Sequence, residues 1–201
     1  MKGIINDIDF KKHQKAFKTS TPFQHVVIDN FFESNLLKEV SENFPCLEDD
    51  RWFRFRKKIG EYENIFESGM NAISKPDNMN SLSRSFLYNI NSLEFCKNLE
   101  KITGIEGILP DPHWHYTGLR INTPGASQLV HSDALFHPHL KQRKILTCMI
   151  YMTEGWTEKQ DGCLELWNDN MTECVHRIAP IFNRLVIFKN TDTSFHGVPN
   201  N

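Results

Sequence analysis

The sequence lacks any apolar run long enough to span a membrane, and Asp7 and Asp9 interrupt the N-terminal stretch where a secretory signal needs apolar residues. It also lacks a C-x-x-C pair. Its five cysteines are odd in number and widely spaced, which argues against both a disulfide framework and a structural zinc site. We therefore expect a soluble, cytoplasmic protein with no membrane partner.

Charge of one sign is not in excess either, because 23 Lys and Arg face 25 Asp and Glu and give a formal net charge of -2. No global field draws such a protein to nucleic acid, so we expect no nucleic-acid partner. No internal repeat, low-complexity tract or Gly/Ser linker divides the 201 residues, which are enough to bury one core. We predict a single domain, 1–201, and leave its oligomeric state open.

The first half of the chain mixes strand and helix signals. The run His25 to Asp29 predicts a short buried strand. An amphipathic helix is predicted to follow, with Ser34 as its N-cap and Pro45 as its stop. A second helical stretch, Leu82 to Ile102, meets Gly104 as a C-terminal cap. This half is predicted to brace a sheet.

The second half changes to short segments rich in β-branched, aromatic and aliphatic residues, each bounded by turn-forming residues. Turns are expected at Thr123-Pro124-Gly125 and near Asp161-Gly162. Many short strands without helices between them favour an antiparallel sandwich or barrel of the jelly-roll kind. The predicted fold is thus mainly β with flanking helices (α+β), with 1–109 as support and 110–201 as the β core. The predicted strands are Tyr116 to Asn122, Gln128 to Ser132, Ile145 to Thr153, Cys163 to Trp167 and Arg184 to Lys189.

One pattern in the β core carries chemistry. His131 and Asp133 are two residues apart, so on a strand both side chains project from one face and can reach one metal ion. His196 follows the strand that ends at Lys189, and an antiparallel sandwich can return the chain there to the first pair. Two imidazoles and one carboxylate on one face of an octahedron form the triad of non-haem Fe(II) oxygenases. Taken alone, the H-x-D pair is weak evidence, and its alternative reading is a polar pair on a strand surface.

In this context the sequence resembles the prolyl 4-hydroxylase-like branch of the 2-oxoglutarate and Fe(II)-dependent oxygenases. The resemblance covers about Pro110 to Asn201 and implies a double-stranded β-helix core. It implies that His131, Asp133 and His196 are the catalytic metal ligands. The similar segments are Thr123-Pro-Gly to Val130-His-Ser-Asp133, Arg143 to Met152, Asp161-Gly-Cys-Leu-Glu-Leu-Trp167, Ile178-Ala-Pro, Asn183 to Phe188 and Phe195-His-Gly-Val198.

The resemblance also implies cofactors and their contacts. Fe(II) is the metal, 2-oxoglutarate and dioxygen are co-substrates, and ascorbate is an accessory reductant. Tyr151 matches the family position whose phenol donates a hydrogen bond to the distal carboxylate of 2-oxoglutarate, and Leu164 is expected to line the same pocket. Asn122 is a looser candidate for a polar contact with the co-substrate.

At one point the chain departs from the family, which usually anchors that distal carboxylate with Arg or Lys on the last core strand. An anchor of this kind suits a buried dianion, yet the sequence ends at Asn201, five residues after His196. Two explanations stay open. The sequence is a fragment that lacks its last strand, which we favour, or Arg120, Lys144 or Arg143 substitutes for the anchor.

Two further histidine pairs, His113 with His115 and His137 with His139, have the same i, i+2 spacing. Without a carboxylate partner they are interpreted as loop residues or substrate-side contacts rather than metal ligands. A basic and aromatic cluster is interpreted as a solvated strand face, with a rim for a polymeric or acidic substrate as the alternative. Its members are Arg51, Trp52, Phe53, Arg54, Phe55, Arg56, Lys57 and Lys58.

The leading hypothesis is an oxygenase that hydroxylates an unactivated C–H bond of a peptide, a protein side chain or a small molecule. Asp133 argues against a halogenating variant, because halide needs the position that this carboxylate fills. Two alternatives keep the same three ligands. One is a zinc enzyme with hydrolytic chemistry, and the other is a non-catalytic jelly-roll module.

Overall fold

The computed structural model of the protein describes residues 3–55 and 67–199, together with the backbone of residues 58–59 and 62–63. The helices in these parts are α1 (Phe10–Thr19), α2 (Ser34–Glu42), α3 (Ser81–Ile90) and α4 (Leu93–Thr103). The strands there are β1 (His25–Asp29), β2 (Phe53–Arg54), β3 (Lys58–Ile59), β4 (Tyr62–Glu63), β5 (Glu67–Ile73), β6 (Leu119–His131), β7 (Leu146–Tyr151), β8 (Leu164–Trp167), β9 (Cys174–Ile178), β10 (Arg184–Lys189) and β11 (His196–Val198).

Two antiparallel sheets organise these strands. The small sheet has the order β1-β10-β7, and the large sheet has the order β2-β5-β6-β11-β8-β9, while β3 and β4 form a separate hairpin. Sequential strands alternate between the sheets along much of the second half, since β7 and β10 belong to the small sheet and β8, β9 and β11 to the large one. The predicted mixed α+β class with antiparallel sheets is confirmed.

Strand β10 is buried on both faces and therefore joins two parts of the core. Leu185 and Ile187 belong to a hydrophobic cluster that includes buried residues of all four helices. Val186 and Phe188 belong to a second cluster, which includes residues of β8 and β9. The first cluster holds the helices against one face of the small sheet. The second fills the space between the small sheet and the β11-β8-β9 part of the large sheet.

The helix boundaries follow from local capping. Helix α2 begins one residue earlier than predicted, because the Glu33 side chain accepts hydrogen bonds from the backbone N–H groups of Asn35 and Leu36. The single helix predicted over 82–102 is two helices, because Ser92 accepts from the backbone of Phe95 and starts α4. Gly104 ends α4 in the left-handed region, as predicted.

Strand β6 replaces two predicted strands. The turn expected at Thr123-Pro124-Gly125 is an irregularity within β6, opposite Gly69 of β5, where the register between the strands shifts. Strands β1 and β10 have the predicted bounds, whereas β5, β9 and β11 were not predicted. No helix in the described ranges is long and apolar enough to cross a membrane.

Candidate metal centre

The large sheet brings three potential metal ligands together. His131 ends β6 and His196 begins β11, and the two residues are paired directly across these antiparallel strands. Asp133 follows His131 by two residues, so each of the three offers one ligand atom within 4.8 Å of the others. The centroids of the two imidazole rings are 4.5 Å apart. The side chains that the sequence singled out therefore form one candidate metal triad.

Gly197 permits this close pairing. A Cβ at this position would come within 3.0 Å of the Gln128 carbonyl oxygen and of the Val130 backbone in β6. A side chain would therefore push β11 away from β6 and separate the two histidines. The need for glycine here comes from close approach of two backbones, since its φ is not in the left-handed region.

Each histidine of the triad is fixed by a backbone carbonyl. Nδ1 of His131 lies 2.8 Å from the Leu129 oxygen, and Nδ1 of His196 lies 2.9 Å from the Ser194 oxygen. A carbonyl only accepts, so each Nδ1 carries a proton, and Nε2 is the nitrogen left to each ring for a metal. This is the arrangement that orients a metal-bound imidazole.

Asp133 is held by two donors on one of its oxygens. Lys144 Nζ donates to Oδ2 at 2.7 Å, and the Thr147 hydroxyl donates to the same oxygen at 2.8 Å. Oδ1 lies 3.7 Å from His131 Nε2, on the side of the triad. The carboxylate is thus oriented to bind a metal through one oxygen while the protein holds the other.

The charges of the site keep this carboxylate ionised. Burial raises the pKa of Asp133, but the contact with His131 and the charge of Lys144 outweigh it and hold the pKa well below its usual range. For His131, burial lowers the pKa, but the contacts with Asp133 and with the Leu129 carbonyl raise it by more. The net shift of the His131 pKa is therefore upward. Burial lowers the pKa of His196 to about 4, which leaves a neutral imidazole with a lone pair available.

Tyr151 and Leu164, the predicted co-substrate contacts, belong to the same inner cluster as Phe188, whose ring lies 4.5 Å from that of His196. The Tyr151 hydroxyl is buried and has no hydrogen-bond partner among the described residues. Burial raises its pKa above the usual range, so the phenol stays protonated and can donate. Asn122 is exposed on β6 and pairs with Met70 of β5.

The three basic residues considered as anchors lie in different settings. Lys144 forms an ion pair with Asp133. Arg120, on β6, pairs with Ala72 of β5, and its guanidinium lies 5.7 Å from the centroid of the Phe55 ring. Arg143 is exposed in the loop before β7. Lys144 and Thr147 are thus partners of a candidate ligand. The sequence did not mark Thr147, because no local spacing connects it to Asp133.

The other histidine pairs are brought together by two loops. His113 and His115 precede β6, while His137 and His139 follow Asp133, and their rings form one group. The sequence interpretation treated each pair separately and missed this contact.

The basic and aromatic cluster is only partly a solvated face. Trp52 is buried and its indole donates to the Cys46 carbonyl, while Arg51 pairs with Asp49 at 2.6 Å. Phe53 is exposed. Arg56, Lys57 and the Lys58 side chain lie outside the described residues.

Comparisons with known proteins agree with this geometry. Residues 116–201 match the family model described as the 2OG-Fe(II) oxygenase superfamily. No curated protein matches the chain significantly.

Among solved structures, a prolyl 4-hydroxylase from Pseudomonas putida is 14% identical, with 93% of this chain and 91% of that chain covered and a TM-score of 0.59. A prolyl 4-hydroxylase from Phytophthora capsici is 19% identical, with 98% and 63% covered and a TM-score of 0.59. A prolyl hydroxylase from Trichoplax adhaerens, in complex with a hypoxia inducible factor oxygen degradation domain peptide, is 15% identical, with 94% and 83% covered and a TM-score of 0.59.

At these identities the likeness concerns the fold, and the two antiparallel sheets are consistent with the double-stranded β-helix of prolyl 4-hydroxylase-like structures. The matched segment contains all three residues of the candidate triad. Residues 116–201 are thus similar to the 2OG-Fe(II) oxygenase superfamily, and the structural neighbours of the chain are prolyl 4-hydroxylases.

Proposed function

We propose that the protein is a 2-oxoglutarate-dependent dioxygenase that hydroxylates an unactivated C–H bond. The observation that carries this proposal is the triad of His131, Asp133 and His196, whose donor atoms lie within 4.8 Å of one another. Two imidazoles and one carboxylate suit Fe(II) and leave one face of an octahedron free for other ligands.

In this proposal His131 and His196 bind iron through Nε2, since Nδ1 of each is held by a carbonyl. Asp133 binds through Oδ1, while Lys144 and Thr147 hold Oδ2. With the second oxygen occupied, the carboxylate takes one coordination position. This arrangement keeps the remaining positions available to the co-substrate and dioxygen.

Tyr151 is the proposed donor to the distal carboxylate of 2-oxoglutarate. Its buried hydroxyl, which has no hydrogen-bond partner in the described part of the chain, supports this role, because a buried phenol normally has one. Leu164 packs in the same cluster and forms the apolar wall beside it. Asn122 is proposed to make a further polar contact with the co-substrate.

When bound, iron and 2-oxoglutarate would supply the oxidising chemistry, in which one oxygen atom of dioxygen enters succinate as the co-substrate loses carbon dioxide and the other enters the C–H bond of the substrate. The protein fixes both imidazoles and keeps Asp133 ionised. It also surrounds the site with the apolar side chains of Phe188 and Leu166, which exclude water from one side.

For the substrate we propose a prolyl or similar side chain of a peptide or protein. The structural neighbours support this choice, since they are prolyl 4-hydroxylases and one of them was solved with a peptide. We further propose that residues 1–201 act as one cytoplasmic oxygenase domain with 1–109 as support, and that ascorbate assists turnover.

The test is anaerobic titration of the Fe(II)-loaded protein with 2-oxoglutarate, followed by the visible metal-to-ligand charge-transfer band. We expect a band that Asp133→Ala abolishes and that Asp192→Ala, which changes an exposed aspartate after β10, retains. Tyr151→Phe should keep the band but require about tenfold more co-substrate, because one hydrogen bond to a charged group is lost.

Folded, iron-loaded protein without a band would contradict the proposal and favour a non-catalytic module. A protein that takes zinc in preference and hydrolyses a substrate would favour the hydrolytic alternative.

A further inference from the structure

Two loops of the protein bring four histidines into one group outside the triad. His113 and His115 lie in the loop before β6, and His137 and His139 lie in the loop between Asp133 and β7. The ring centroids of His113 are 5.5 Å from those of both His137 and His139. Those of His115 are 5.5 and 5.7 Å from the same two rings, and His137 and His139 are 5.7 Å apart.

These separations are close to those of imidazoles around a single ion. An imidazole bound to zinc at about 2.0–2.1 Å has its ring centroid roughly 3.2 Å from the ion, so two rings at the tetrahedral angle lie about 5.2 Å apart. The five ring pairs above exceed this distance by only a few tenths of an ångström. The four rings therefore enclose a space of the size that one ion needs.

A single carboxylate organises three of the four histidines. Asp111 Oδ1 accepts from the backbone N–H of His113 at 2.8 Å, and Oδ2 accepts from that of His115 at 2.7 Å. Oδ1 also lies 3.1 Å from Nε2 of His137 on the other loop. Asp111 thus shapes the first loop and reaches the second, as carboxylates beside metal-bound histidines do.

His137 is the buried member of the group, with 9% of its surface exposed. Its Nε2 atom is enclosed, and its polar neighbour within the described residues is Asp111 Oδ1 at 3.1 Å. Its Nδ1 atom has two long contacts of 3.2 Å, from the backbone N–H groups of His139 and Leu140. Nδ1 is therefore the accepting nitrogen, which a metal can take in place of these two contacts, while Asp111 stays beside Nε2.

The nitrogens of the four rings do not yet converge, since within the described ranges only the triad brings three ligand atoms within 4.8 Å of one another. His113, His115 and His139 are exposed, so their rings can turn about the side-chain bonds without disturbing the core. Convergence requires rotation of rings that are already at the right separation.

We propose that His113, His115, His137 and His139 form a second metal site, which takes one divalent transition ion with a preference for imidazole ligands, zinc first. Four nitrogen ligands in a tetrahedral arrangement suit zinc, and cobalt can report on it. The ion ties the loop before β6 to the loop that follows Asp133.

The second site connects physically to the triad. The Tyr116 ring packs edge-on against His115 at 4.5 Å, and Lys144 Nζ lies 4.7 Å from the centroid of the same Tyr116 ring. Lys144 in turn holds Asp133 at 2.7 Å. An ion that orders these loops therefore also fixes the lysine that orients a ligand of the triad.

The experiment is titration of the metal-free, tag-free full chain with Co²⁺ and, separately, with Zn²⁺. We expect two equivalents, one of which gives the intense visible spectrum of tetrahedral cobalt. The double variants His113→Ala/His115→Ala and His137→Gln/His139→Gln should each lose the tetrahedral signal and weaken that equivalent at least about a hundredfold. His13→Ala removes a histidine of α1 and should change neither equivalent.

The other site serves as the folding control in each variant. Asp133→Ala should lose the charge-transfer band with Fe(II) and 2-oxoglutarate yet keep tetrahedral cobalt, so failure of the oxygenase proposal and failure of this one are distinguishable. Native protein that gives no tetrahedral cobalt signal would overturn the second site, whatever the number of equivalents bound. A tetrahedral signal that survives removal of either histidine pair would also overturn it, because two imidazoles would then suffice.

Discussion

The two histidine groups differ in what holds their rings. In the triad, His131 and His196 are paired across two strands, and each Nδ1 is fixed by a carbonyl from two residues earlier. In the other group the histidines lie on loops, and three of the four are exposed. Strands place ligand atoms before a metal arrives, whereas loops place rings near one another and leave the final rotation to the ion.

This difference has a consequence for how metal binding couples to the protein. Binding at the triad needs little rearrangement, so its affinity depends on the residues that orient the ligands. Binding at the loop site orders two segments at once, so part of the binding free energy is used for ordering. Three predictions sharpen this contrast, and they follow in order of decreasing effect.

The largest effect is expected where the core supports the triad. Phe188 is fully buried and its ring lies 4.5 Å from that of His196, so Phe188→Ala should lower the free energy of unfolding by about 3–5 kcal/mol. Phe136 lies on the loop that carries His137 and is 65% exposed, so Phe136→Ala should change it by less than about 0.5 kcal/mol. Urea denaturation of the metal-free proteins measures both, and equal losses would refute the contrast.

A smaller effect is expected from a residue that orients a ligand without touching the metal. Thr147→Val keeps the shape of the side chain but removes the donor to Asp133 Oδ2, so Fe(II) affinity should fall about 10- to 100-fold. Thr172→Val, which alters an exposed threonine that is hydrogen-bonded within its own turn, is the matched control. An affinity for Fe(II) that is the same in both variants would show that Lys144 alone orients the carboxylate.

The sequence predicted the parts of the fold that local patterns determine. Strand β10 was found because its apolar run is buried on both faces, and the end of α4 was found because Gly104 takes a left-handed conformation there. Strand β11 was missed because a run of three residues has no periodicity, and its pairing depends on β6 and β8. Pairing with distant strands decides such an element.

The same distinction holds for the sites. The spacing of His131 and Asp133 is local, so the sequence predicted them as a ligand pair. The resemblance to the oxygenase family identified His196 as the third ligand. The hydrogen bond from Thr147 to Asp133 and the meeting of His113 with His137 join residues on separate elements. No single-sequence pattern links such residues, so these contacts became visible only with the fold.

The smallest effect should come from an ion pair that lies away from both histidine groups and sets a baseline for their acid sensitivity. The Arg184 guanidinium donates to both oxygens of Asp29 across β1 and β10, at 2.6 and 3.0 Å, and this holds the pKa of Asp29 below its usual value. A lowered pKa contributes stability that is present above the unfolded value and is lost as pH falls through the folded one. Because Asp29 is half exposed, Asp29→Asn should cost at most about 1 kcal/mol at neutral pH. Below about pH 4 the difference between variant and native protein should shrink toward zero in urea titrations. A difference that persists at lower pH would mean that Asp29 acts through packing rather than charge.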